Sequence, residues 1–389
     1  MQILLVGGAV RNVLLGLPAA DKDFLVLNAD EEEFLRKFPK AKQVGKSFPV
    51  FLVNGLEFSF PRRSDPAWTT MQTLQADLEE RDLTINAMAL DQDGELYCHP
   101  QALNDLHSRT LRPAGPEAMA ADPLRIFRAA RFYAQYPMFR PAPELLSAMQ
   151  TCSRLSAFQT LAPLRVGREV LKALQAPRPS NFFQLLHQTH SLEHWLQELQ
   201  DLADVPAGPA QYHAAPNALA HTLRVVDACS SNPSAEGGSN TPGLVGWMAL
   251  CHDLGKGRTP KKNWPRHINH ERAGVEPARA LARRLALSNT FLVAGARSAE
   301  LHMLAGRYPE LRPGTRVDLL MRLHAAKLVA PLFEVVRADR GEAHTQQALS
   351  DLKTILEVHL PPCDQGLGAQ SGERLRTLRA QALATALSR

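Results

Sequence analysis

Short apolar runs broken by polar turns occupy roughly the first 112 residues. Residues 3–6, 24–27, 50–53 and 56–60 have the length and side-chain character of strands, and 31–38 has helical apolar spacing. This alternation predicts an α/β head. From about 113 to 205 the pattern turns helical, with little β-branched density and a periodic apolar run across 145–174. Pro206-Ala207-Gly208-Pro209 reads as a linker, and a His-rich helical region follows to about residue 345. The Ser-, Gly-, Asn- and Pro-rich stretch 230–243 is expected to be a mobile surface loop. Beyond Leu360-Pro361-Pro362, an Arg- and Ala-rich tail predicts a terminal helix. No internal repeat is visible.

Two features in the head carry chemistry. In Asp21-Lys22-Asp23-Phe24-Leu25-Val26, alternate side chains of a strand share a face, so the two carboxylates project together and Lys22 points away. Two hard oxygen ligands on one face suit Mg²⁺. Upstream, Gly7-Gly8 follows the apolar run and precedes Val10-Arg11-Asn12-Val13-Leu14-Leu15, which has helical spacing. Backbone N–H groups at that helix start, Gly8 among them, can approach a triphosphate, and Arg11 adds charge. The combination predicts a metal-dependent nucleotidyltransferase.

Composition narrows the picture without deciding it. The chain has 389 residues, enough for two or more domains, and 45% apolar content places it among globular proteins. A formal charge of +5 and a pI near 9.0 are compatible with a nucleic-acid partner. Cys98, Cys152, Cys229, Cys251 and Cys363 show no CxxC spacing and are expected to be reduced thiols. No apolar run approaches membrane-spanning length and no signal peptide is visible, so a cytoplasmic location without membrane contact is expected.

Leu5-Val6-Gly7-Gly8-Ala9-Val10-Arg11 followed by the two aspartates resembles the opening of bacterial tRNA nucleotidyltransferases, the CCA-adding enzymes of the polymerase β superfamily. The resemblance extends to about residue 345. It implies two-metal nucleotidyl transfer, with Asp21 and Asp23 joined by Glu57 of Leu56-Glu57-Phe58-Ser59-Phe60 as the third carboxylate. Glu80-Arg81-Asp82-Leu83-Thr84-Ile85-Asn86-Ala87, a charged triplet ahead of an expected helix, is similar to the family's RRDFTINA signature. There Arg81 would pair with triphosphate oxygens, and Asp82 and Asn86 would position the ribose.

Asp122-Pro123-Leu124-Arg125-Ile126-Phe127-Arg128 is expected to supply base selection. Cytosine and adenine each present an amino donor beside a ring-nitrogen acceptor, whereas uracil and guanine present the reverse. A carboxylate only accepts and a guanidinium only donates, so Asp122 with Arg125 fits C and A, and the protein serves as its own template. Arg128 and Arg131 continue toward phosphates or backbone. The chain departs from the family pattern at Asn12, which replaces the aspartate of GGxVRD, at Glu80, which replaces the first arginine of RRD, and at Ala121, which replaces the glutamate of EDxxR. The 62–76 stretch is also shorter than the loop of C-and-A-adding members, and short versions accompany A-only enzymes.

Farther along, Cys251-His252-Asp253-Leu254-Gly255-Lys256-Gly257 resembles the signature of HD-type metallophosphohydrolases. His221, the His252-Asp253 doublet and Asp339 would give the mixed N/O ligand set of a divalent site for Ni, Mn or Co, activating a water against a phosphoester. His213, His267, His270 and His302 lie in the same region. Ala215, Asn217 and Met303 stand where relatives carry acids, which is expected to weaken hydrolysis more than metal binding.

The resemblance thus implies an α+β protein: a polymerase β-like nucleotidyltransferase head at 1–135, an all-α RNA-binding neck and body at 136–205, an all-α HD domain at 206–345 and a helical tail at 346–389. The expected function is addition of CMP and AMP, from CTP and ATP, to the tRNA 3′ end using Mg²⁺, with HD-domain phosphatase or 2′,3′-cyclic phosphodiesterase activity beside it. An A-only enzyme, a poly(A) polymerase, an RNA-binding or regulatory protein and a protein acting chiefly as an HD phosphatase remain alternatives.

Overall fold

A computed structural model describes residues 1–19, 22–44, 49–209, 211, 215–230 and 241–387. Asp21, His213 and most of the 230–243 stretch therefore lie outside the described residues. The chain divides into two compact units, Met1–Leu161 with Gln188–Ser191, and Ala162–His187 with Leu192–Arg389.

The first unit holds a mixed sheet. Its strands are β1 (Gln2–Val6), β2 (Asp23–Leu27), β3 (Lys42–Val44), β4 (Val50–Val53), β5 (Leu56–Ser59), β6 (Met88–Leu90) and β7 (Leu96–Cys98), in the order β3-β4-β5-β2-β1-β6-β7. Among the described pairs in this sheet, β2 and β5 run parallel and the rest antiparallel. The period-two pattern sorts the side chains. Leu4, Val6, Leu25 and Leu27 pack against Leu74 and Leu78 of the Thr70–Glu79 helix, while Val26 turns the other way to Phe34, Phe51 and Phe58. The helix boundaries follow from caps. Asp30 accepts the Glu33 N–H at 2.8 Å ahead of Glu31–Lys37, and Thr69 with Gln72 forms a capping box ahead of Thr70–Glu79.

The four expected strands appear as β1, β2, β4 and β5. The helix expected after the Glu80-Arg81-Asp82 triplet does not: Thr84–Asn86 makes a single 3₁₀ turn and β6 follows. Pairing overrides helix propensity here. Gly7 N–H donates to the Met88 carbonyl at 2.9 Å, Leu5 and Val6 face Leu90 and Ala89, and β6 returns through Gly94, at φ 88°, into β7.

The second unit is helical among its described residues. The Leu244–Cys251 helix is buried along its whole length, and the Ala218–Ser230, Asn289–Ala305 and Val329–Arg340 helices pack around it. The architecture is therefore α+β with helical units after the head, as expected, and the tail forms the Ala369–Leu387 helix. The 206–209 stretch, expected as a linker, is not a free connection. It lies inside the second unit, where Lys256 Nζ donates to the Ala207 carbonyl at 2.6 Å and His267 Nε2 lies 2.7 Å from that of Pro206. All five cysteines are free thiols, and no described helix is long and apolar enough to cross a membrane.

Candidate functional sites

Strand register assembles the head site. Val6 faces Asp23 across β1 and β2, and Asp23 faces Glu57 across β2 and β5, so the two exposed carboxylates lie side by side at the end of the sheet where β1 runs into Gly7-Gly8. Gly7, at φ 75°, leaves room for Arg81: a Cβ there would stand 3.0 Å from a terminal nitrogen of the guanidinium. One sheet edge thus presents two carboxylates, a glycine turn and an arginine. Whether Asp21 shares the face of Asp23 lies outside the described residues.

Arg81 is held from behind by Asp77, which is fully buried and accepts from Arg81 at 3.1 Å and Arg62 at 2.9 Å. Asp77 was missed in the sequence. The available signal was its i,i+4 spacing to Arg81 at a helix C-terminus.

Asp82 is the hub of the neighbouring network. Its Oδ1 accepts from Leu83 N–H and Asn86 Nδ2, both at 2.9 Å; its Oδ2 takes no well-aligned hydrogen bond but lies 2.9 Å from an Arg128 terminal nitrogen. Burial alone would raise the Asp82 carboxyl, but Arg128, Asn86 and Arg125 outweigh it and bring it down to about 2. The Asn86 oxygen in turn accepts from Arg11.

Arg11, expected to face phosphates, is turned inward and only 4% exposed. Its guanidinium lies 5.0 Å from the Phe132 ring centroid and 4.9 Å from that of Tyr136, and donates to Asn12 and the Tyr136 hydroxyl. Burial lowers the Arg11, Arg81 and Arg125 pKa values.

Arg125 opens the Arg125–Gln135 helix and donates to the carbonyls of Ala118 at 2.8 Å and Arg81 at 3.4 Å. Two backbone oxygens thus orient it where the family pattern has the glutamate that Ala121 replaces. Asp122 is extended and precedes that helix, with Oδ1 accepting the Leu124 N–H at 3.2 Å.

In the second unit, His221, His252, Asp253 and Asp339 converge as expected. Asp253 Oδ2 lies 3.2 Å from His252 Nε2 and 3.4 Å from His221 Nε2, and His221 Nε2 lies 3.0 Å from Asp339 Oδ1. Two ligands about 2.1 Å from one ion and at tetrahedral or octahedral angles stand about 3.0–3.4 Å apart, so these donors have metal-ligand spacing. His252 Nδ1 is 2.6 Å from the Ala249 carbonyl, which fixes the proton there and turns the Nε2 lone pair on a carboxylate. A positive charge between them, from a metal ion or from a second proton on His252, resolves that contact. Burial works to lower the His252 pKa and Asp253 raises it on balance; burial works to raise Asp253, but His252 and Lys256 hold it well below the usual range. Asp339 is likewise held low by His221 and His252 against its burial.

The structure adds His270 and His302, both buried, with Nε2 atoms 3.3 and 3.6 Å from Asp253 Oδ1. Burial lowers His302 to about 3. His267, from the same run, instead turns to Thr259 and Pro206. The cluster lines a cavity of about 590 Å³ whose other walls include Arg224, Lys256, Arg266, Met303 and Arg340. Gly255 makes the cluster sterically feasible, because a Cβ there would collide with the His270 carbonyl.

Residues 3–112 match the Poly A polymerase head domain family, 138–202 a family described as a probable RNA and SrmB-binding site of polymerase A, and 218–340 the HD domain family. The multifunctional CCA protein of Xanthomonas oryzae pv. oryzae is 36% identical over 419 aligned positions, covering 99% of each chain. That of Acinetobacter baumannii is 35% identical over 412, covering 99% of this chain and 97% of the relative. Among solved structures, a CCA-adding enzyme with CTP superposes with TM-score 0.69 at 17% identity, and the Thermotoga maritima CCA-adding enzyme complexed with tRNA with 0.67 at 17%. Each is matched over 98% of this chain and 87% of that one, a likeness of fold.

Proposed function

The chain belongs to the multifunctional CCA protein family, and from that premise we propose that its head adds CMP and AMP to the 3′ end of tRNA, drawing on CTP and ATP. The observation that carries the reading is the register Val6, Asp23, Glu57, which gathers the carboxylates, the Gly7-Gly8 turn and Arg81 at one sheet edge. Both domain types are metal-dependent. At the head the all-oxygen donor set favours Mg²⁺, held by Asp23 and Glu57 with Asp21; bound there, it supplies charge stabilisation to the attacking and leaving oxygens.

The chain's own groups do the rest. Gly8 N–H and Arg81 hold phosphate oxygens, and Asp77 keeps Arg81 aimed. The Arg11–Asn86–Asp82–Arg128 network fixes the floor on which the ribose sits. Asp122 accepts from the base amino group and Arg125 donates to the ring nitrogen, which both C and A satisfy and U and G oppose.

In the second unit, His221, His252, Asp253 and Asp339 would hold a divalent transition metal such as Ni, Mn or Co, which would supply Lewis-acid activation of water against a phosphoester. Arg224, Arg266 and Arg340 in the cavity wall favour an anionic ester such as a terminal phosphate or 2′,3′-cyclic phosphate. The absence of acids at Ala215, Asn217 and Met303 sets a lower hydrolytic rate. A cytoplasmic location follows from the tRNA substrate.

Purified chain is offered tRNA transcripts ending before the tail, after one C and after CC, with each labelled nucleoside triphosphate separately. Incorporation of C, C and then A supports the reading. Incorporation of A alone, and only on the CC transcript, identifies an A-adding enzyme instead, and none on any transcript sinks it.

A further inference from the structure

We propose that Arg62 is a second pyrophosphate-binding cation of the head, set beside Arg81 by the carboxylate of Asp77. The inference rests on the reading of the head as a nucleotidyltransferase and adds a substrate contact that the glycine turn and Arg81 do not supply.

Asp77 divides its two oxygens between two arginines. Oδ2 accepts from Arg81 Nε at 3.3 Å and from a terminal Arg81 nitrogen at 3.1 Å; Oδ1 accepts from Arg62 Nη1 at 2.9 Å and from the Arg62 backbone N–H at 3.2 Å. Asp77 is fully buried, so the geometry is fixed from inside the fold. The Arg62 side chain keeps 32% of its surface exposed, against 10% for Arg81. Two guanidiniums on the two oxygens of one carboxylate are neighbours, and adjacent phosphates of one polyphosphate chain can meet both.

Charge points the same way. Arg81 already gives Asp77 two hydrogen bonds and one positive charge, so neutralising the carboxylate does not require Arg62. Burial lowers the pKa values of Arg81 and Arg125, and the charge of Arg62 adds to the lowering of both. An anion set among the three relieves that repulsion. Arg63, next in the chain, is engaged otherwise: its Nε lies 3.4 Å from Glu80 and its guanidinium 5.9 Å from the Trp68 ring centroid.

The order of groups along the site assigns the phosphate. Asp23 and Glu57 lie at the sheet end beside the Gly7 turn, the remaining terminal nitrogen of Arg81 stands next to Gly7, and Asp77 with Arg62 lies beyond. With the α-phosphate at the carboxylates, Arg81 and Arg62 face the two outer phosphates. As the tRNA 3′ oxygen bonds to the α-phosphorus and gives up its proton, the bond to the bridging oxygen breaks and its electron pair stays with pyrophosphate. Arg62 meets the charge that builds there.

The test measures inhibition of CMP incorporation into tRNA lacking its tail, by the full chain with Mg²⁺, using inorganic pyrophosphate and CMP as separate inhibitors. Arg62→Ala should weaken inhibition by pyrophosphate by about 10- to 100-fold, the loss of one charged hydrogen-bonding partner, and leave that by CMP unchanged. Arg62→Lys should recover part of the loss, and Arg63→Ala should match wild type. Arg62→Gln, a milder change, keeps the proposal testable if Arg62→Ala melts early by circular dichroism. In an Arg81→Ala background the Arg62→Ala loss should persist as a further, additive factor. Wild-type inhibition by pyrophosphate in Arg62→Ala and Arg62→Gln overturns the proposal. A loss that vanishes in the Arg81→Ala background also overturns it, since Arg62 would then act only by propping Arg81. Absence of CMP incorporation by the wild-type chain overturns the nucleotidyltransferase reading itself.

Discussion

Replacing Asp82 with asparagine isolates the charge that organises the head. The side chain keeps its volume, but Arg128 at 2.9 Å and Arg125 beyond it lose their shared counter-charge, as do Arg11 and Arg81 in part. A carboxyl that titrates at 3.8 when unperturbed and at about 2 in the fold favours the charged folded form by about 2 kcal/mol. Because the folded pKa is the lower one, this stabilisation is present above the unfolded value and is lost as pH falls through about 2. At pH 3 roughly half should remain. Hydrogen exchange of head peptides across a urea series gives the local stability of wild type and Asp82→Asn at pH 7 and pH 3. The account expects a gap of about 2 kcal/mol at pH 7, shrinking to about half at pH 3. A gap that is absent at pH 7, or equal at both pH values, would refute the charge argument and leave only lost hydrogen bonding.

Asp77→Ala should cost about 3–5 kcal/mol in the same exchange measurement, because it strands the buried Arg81, and should raise KM for ATP and CTP; unchanged KM would remove Asp77 from positioning Arg81. Arg125→Ala should relax discrimination against UTP and GTP, out of roughly 10⁴-fold available to a hydrogen-bonding site, read as the kcat/KM ratio among the four triphosphates. Gly255→Ala should lower retained Ni²⁺ by displacing His270, and wild-type metal content would show that the close approach is dispensable. His252→Ala should eliminate metal-stimulated hydrolysis of 2′,3′-cyclic nucleotide while nucleotide incorporation persists; loss of both, in folded protein, would mean that the second unit supports the polymerase.

What the sequence could reveal depended on how local each determinant is. β1, β2, β4 and β5 were legible because alternation along one segment fixes both strand and face. β6 was not, since Met88, Ala89 and Leu90 carry helix-favouring side chains and are held extended by Gly7 and β1. His252 and Asp253 announce themselves as neighbours in a motif, whereas His270 and His302 join them from other helices with no period linking them. Gly255 was the available clue, as a position where backbone must approach closely. Arg11 was legible as a motif residue but not as a buried one, because the rings that enclose it, Phe132 and Tyr136, come from far along the chain.

The most direct test of the account is incorporation of labelled CMP into tRNA lacking its tail by wild type and Asp23→Ala, with tRNA affinity measured in parallel. Asp23 sits exposed at a strand end beside Glu57, so its removal should leave folding and tRNA binding intact while lowering incorporation by about 10³-fold or more. Incorporation near the wild-type rate would contradict the assignment of the sheet edge as the catalytic centre.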